Sequence, residues 1–72
     1  MDWGQTGRMS NSPTATLLVM ADHLERYYHE IGDLLPGYQG DDVADVVSAL
    51  VETERALRTA ARLARRAAKL TA

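Results

Sequence analysis

Residues 34–42, LLPGYQGDD, separate two long segments in which apolar residues return every three or four positions. Pro36 disfavours helical geometry at the residue before it, and Gly37 and Gly40 suit a reversal of the chain. A connection this short joins antiparallel helices. The stretch therefore predicts an all-α antiparallel two-helix hairpin, with helix 1 over about 13–35, a loop over 36–41 and helix 2 over about 42–70.

Upstream of the reversal, Ser12-Pro13 is a helix-start signal, because serine can cap a free N–H and proline loses no hydrogen bond at the first helical position. Leu17, Met20, Ala21, Leu24, Tyr27, Tyr28, Ile31, Leu34 and Leu35 then form one wide apolar stripe at helical period. Asp22, Glu25, Arg26, His29, Glu30 and Asp33 fall on the opposite face. Gly32, at the stripe's edge, costs about 1 kcal/mol against alanine; close approach of another backbone and a local kink are its two readings.

Downstream, Asp41 or Asp42 is the expected N-cap of helix 2, with Asp45 placing further negative charge in its first turn. The second stripe is Val43, Val46, Val47, Leu50, Thr53, Leu57, Ala60, Ala61, Ala64, Ala67 and Ala68, broken only by Glu54. Folding about residues 38 and 39 sets Ile31 beside Val46, Leu24 beside Thr53 and Leu17 beside Ala60, and leaves the end of helix 2 overhanging. Leu63 and Leu70 lie off the main stripe and form a narrow second strip, open to the N-terminal segment or to a partner.

Seventy-two residues without a cysteine leave no disulfide and no thiolate site, and a chain this short buries only about 60% of its unfolded surface. Stripes of about three positions in seven are also wider than a two-stranded seam, which uses about two. The expectation is therefore that two hairpins pack into a four-helix bundle as a homodimer. Its dimer or core seam is read as Leu17, Met20, Leu24, Tyr27, Tyr28, Ile31, Leu34, Leu35, Val43, Val46, Val47, Leu50 and Leu57.

The net charge of −2 conceals a division: residues 1–52 carry nine acids and two bases, and residues 53–72 six bases and one acid. Arg55, Arg58, Arg62, Arg65, Arg66 and Lys69 share one face of helix 2. Glu52 and Glu54 can offset Arg55 and Arg58, but no acid lies within helical reach of the last four cations. A solvated face is one reading of this row. The others are docking against a dimer mate's acidic loop (Asp33, Asp41, Asp42, Asp45), against nucleic-acid phosphates, or against an acidic protein surface. Against nucleic acid stands the absence of an aromatic interleaved with the arginines in sequence.

Residues 1–12, with Gly4, Gly7, Ser10, Asn11 and one bulky side chain, Trp3, read as a flexible tail. The opening MDWGQTGRMSNSPT has no apolar core, so no signal peptide is expected, and the longest apolar run, Leu17–Ala21, is far short of the roughly 20 residues a membrane span needs. A cytoplasmic location follows as an expectation. Glu25, His29 and Asp33 share a face at the spacing of a weak surface metal site, but that spacing is common on solvated helices, and no metal or cofactor is expected. No phosphate loop or nucleophile–base–acid set is visible, so no catalytic residues are assigned and no enzymatic activity is expected. The function read from the sequence is a non-enzymatic protein-interaction, regulatory or scaffolding module; the alternative is a small nucleic-acid-binding regulator using the arginine face.

Overall fold

The computed structural model describes residues 12–72; the segment read as a tail, apart from Ser12, lies outside the described residues. Those described are all-helical, with α1 spanning Pro13–Leu34 and α2 spanning Ala44–Thr71, packed against each other as a hairpin. Ser12 opens α1 from an extended conformation, its Oγ accepting the Ala15 N–H at 3.0 Å, with Pro13 in the first turn.

The connection departs from a simple loop. Leu35 keeps right-handed helical angles despite Pro36 behind it, and Leu35–Gly37 continues as a 3-10 turn. Pro36 sits in the first positions of that turn, where its missing N–H is not needed. Tyr38 is extended and its N–H returns to the Leu35 carbonyl at 3.0 Å, while the Gln39 side chain donates to the Pro36 carbonyl at 2.9 Å. Gly40 then adopts φ 106°, a region side chains avoid, and a second 3-10 turn over Asp41–Val43 leads into α2. Neither Asp41 nor Asp42 caps α2: the cap position is Val43, without a side-chain hydrogen bond, because both aspartates are spent in the 3-10 turn.

These turns move the register. The Thr14 and Thr71 hydroxyls meet at 2.8 Å, and Arg65 reaches Asp22 and Glu25, so the pairing centres on residues 42 and 43 rather than 38 and 39. In this register Leu17 lies level with Ala68, Ala21 with Ala64, Leu24 with Ala61, Tyr28 with Leu57 and Ile31 with Glu54. The expected overhang of the C-terminal tip is therefore absent: the first turns of α2 run beside the connection, and its last turns lie against α1.

The contact between the helices uses a narrow seam. The buried and half-buried members are Thr14, Leu17, Ala21, Leu24, Tyr28 and Ile31 on α1, Leu35 in the turn that follows it, and Val47, Leu50, Glu54, Leu57, Ala61, Ala64 and Ala68 on α2. Steps of three and four alternate on both helices, the two-in-seven pattern of an antiparallel coiled coil. Large residues of α1 meet alanines toward the C-terminal end of α2. Among the described residues only Ala21, Ala61 and Ala68 are fully buried.

The glycines of the hairpin differ in what they require. A Cβ on Gly32 would meet the Glu54 Oε2 atom at 3.8 Å, ordinary contact with the end of a flexible chain, so close approach of another backbone does not explain this residue. Gly32→Ala is expected to stabilise by about 1 kcal/mol, the helix-propensity difference. Gly40→Ala is expected to destabilise by about 1–3 kcal/mol, because φ 106° is strained for any side chain and its Cβ would stand 3.0 Å from the Asp42 Oδ1 atom. Paired thermal melts of the two variants check the opposite signs.

Candidate functional site

Two faces flank the seam, and they differ in chemistry. Arg65 and Glu25, each one residue past a seam position, meet at 3.0 Å, which identifies one side of the hairpin as the charged face. The residues flanking the seam on its other side, Met20, Tyr27 and Leu34 of α1 and Val46, Thr53, Ala60 and Ala67 of α2, therefore share the opposite face. Met20, Tyr27, Leu34 and Val46, read from the sequence as seam, are all exposed rather than packed between the two helices. Leu17, Leu24, Tyr28, Ile31, Leu35, Val47, Leu50 and Leu57 lie in the hairpin's own seam, and Val43 is half-buried beside the connection.

On α2 this apolar face widens. Val46, Ala49, Thr53, Ala56, Ala60, Leu63, Ala67 and Leu70 recur at three and four without a charge, forming a second heptad row beside the first. Leu63 is 52% and Leu70 76% exposed. Thr53 is the one polar member, and its hydroxyl donates to the Ala49 carbonyl at 2.8 Å, so its hydrogen-bonding need is met within its own helix.

The charged face carries the basic row. Arg55 pairs loosely with Glu52 at 3.7 Å, both strongly exposed, a contact worth little in water. Arg58 donates to Glu54 at 3.1 Å and its guanidinium lies 4.5 Å from the centre of the Tyr28 ring. Arg65 is held by Asp22 and Glu25 together, both at 3.0 Å. Arg65 has no acid within helical reach on α2, and its partners come instead from α1, which the shifted register brings alongside. Arg62, Arg66 and Lys69 have no acid within 4.0 Å among the described residues.

These cations border an open cleft of about 540 Å³ whose α1 side is formed by Glu25 and Tyr28. A smaller depression of about 270 Å³ adjoins it at the tip, lined by Thr14, Leu18, Ala68 and Ala72, and the two share Arg65 and Lys69. Tyr28 is the component that sequence reasoning missed: an aromatic does stand among the arginines, supplied by the other helix. Admitting Glu54 to the seam of α2 would have fixed the phase of that helix and shown the encounter.

Among the described residues no group of three or more histidines and carboxylates is placed to hold a metal ion. Glu25, one of the three residues spaced for such a site, is engaged by Arg65 instead. No helix among those described is long and apolar enough to cross a membrane. Comparison of the chain with protein-family models, curated proteins and solved structures returns no match.

Proposed function

We propose that the protein is a non-enzymatic interaction module in which the apolar face of one hairpin packs against that of a second copy, forming a four-helix bundle and leaving the basic face to a protein partner in a regulatory or scaffolding role. The observation that carries this reading is the uncharged row through Val46, Leu63 and Leu70, flanked by Met20, Tyr27 and Leu34 and exposed along the hairpin. Monomeric proteins seldom leave so extended an apolar surface in water. The 28 residues of α2 span about 42 Å, and two adjacent helices are about 20 Å wide, so the face offers about 800 Å² per copy, the size of a standard stable interface. Mixing two differently tagged forms tests the assembly: co-purification of both tags after exchange is expected, and complete failure to exchange or co-purify contradicts it.

A second reading, nucleic-acid binding by Arg58, Arg62, Arg65, Arg66 and Lys69, draws on their convergence around Tyr28. It requires steeply salt-dependent binding that is lost when Arg62 and Arg66 are replaced together.

A further inference from the structure

The geometry points to an acidic amphipathic helix of a partner protein as the occupant of the basic cleft, with carboxylates three or four residues apart over Arg62, Arg66 and Lys69 and one bulky apolar side chain in the depression beside Leu18. This inference rests on the interaction-module reading above and adds the chemistry of the partner.

The hairpin already contains one instance of the contact. Asp22 and Glu25, three residues apart on α1, both accept from the single Arg65 guanidinium at 3.0 Å. Beyond Arg65, toward solvent, the same row offers Arg62, Arg66 and Lys69 without acidic partners among the described residues. Arg62 and Arg66 are one helical turn apart, a rise of about 6 Å, and carboxylates four residues apart on a partner helix have the same rise. Guanidinium forks suit bidentate carboxylate contacts.

Two observations favour a helix over a nucleic-acid strand. Arg58, Arg62, Arg65, Arg66 and Lys69 face Asp22, Glu25 and Glu54, an excess of only two positive charges. A phosphate backbone carries charge at every nucleotide and would meet Asp22 and Glu25, whereas an amphipathic helix confines its acids to one stripe that can lie over the outer side of α2. The Tyr28 ring is also capped by Arg58 at 4.5 Å, which occupies the face a base would stack on. The depression at the tip supplies an apolar contact with Leu18, Ala68 and Ala72, continuous with the cleft through Arg65 and Lys69.

The test is fluorescence anisotropy with a labelled alanine-based helical peptide bearing glutamate at every fourth position and one leucine, compared with its Glu→Gln counterpart and with a single-stranded oligouridylate. The glutamate peptide is expected to bind in a salt-sensitive manner, and the glutamine peptide at least tenfold more weakly. Arg62→Ala with Arg66→Ala should cost at least tenfold, and Leu18→Asp should weaken binding separately. Circular dichroism confirms that each variant keeps its helices. Equal binding of the glutamate and glutamine peptides, tighter binding of the oligouridylate, or no binding of the glutamate peptide overturns the inference. So does competition by a second copy, seen as salt-sensitive self-association lost in the Arg62/Arg66 variant. Sedimentation of the same samples reads the assembly independently: a dimer that ignores the peptide defeats only this inference, and a monomer that binds it defeats only the proposed dimer.

Discussion

Aspartate at both Leu63 and Leu70 is expected to leave the protein monomeric and to remove most of its helical signal at micromolar concentration. Both side chains are exposed on the hairpin and lie on the row proposed to meet a second copy. Burial of a leucine is worth about 1.5–3 kcal/mol when complete, and each dimer contains these positions twice. Even at about 1 kcal/mol for each of the four side chains, association weakens about a thousandfold, and the added charges increase the loss. Helicity falls with it because among the described residues the hairpin alone fully buries only three alanines, and most helical stability in proteins comes from tertiary packing of an amphipathic face. Size-exclusion chromatography with light scattering, together with far-ultraviolet circular dichroism, reads both effects. Methionine at the same two positions conserves volume and should retain the assembly.

The second large effect is expected inside the hairpin. Ala21 is fully buried and level with Ala64, so two alanines face each other across the seam. Ala21→Leu inserts a branched side chain into a seam with no room for it, at a cost of about 1–3 kcal/mol. For a domain of this size that lowers Tm by about 4–8 °C per kcal/mol. The same substitution at exposed Ala15, in the first turn of α1, should change stability by no more than about 0.5 kcal/mol. Equal melts for the two variants would show that the alanine seam is not tightly packed.

The local parts of the fold were legible because they depend on neighbours in sequence. Ser12-Pro13 starts α1 through a cap three residues long, and the Pro36–Gly40 reversal follows from backbone chemistry. The register was not, since it depends on how much chain the connection consumes. Two 3-10 turns and the positive φ of Gly40 lengthen the reversal and displace its centre by about four residues, which carries the basic tip from an overhang to a place beside Asp22 and Glu25. An apolar-only reading also passed over Glu54, a half-buried seam residue paired with Arg58. Leaving it out merged the inner seam of α2 with the outer row and concealed the division between them. The width of the stripes was readable, however: an apolar face of three positions in seven exceeds what one helix covers, and the surplus stands exposed as Met20, Tyr27, Leu34 and Val46.

Sedimentation equilibrium of the unmodified chain, across a dilution series from high to low micromolar with circular dichroism on the same samples, bears most directly on whether the hairpin needs a second copy. A mass approaching twice 7.9 kDa at high concentration, with helicity falling as the dimer dissociates, is the expected result. A 7.9 kDa monomer that stays fully helical and melts cooperatively at every concentration would contradict it.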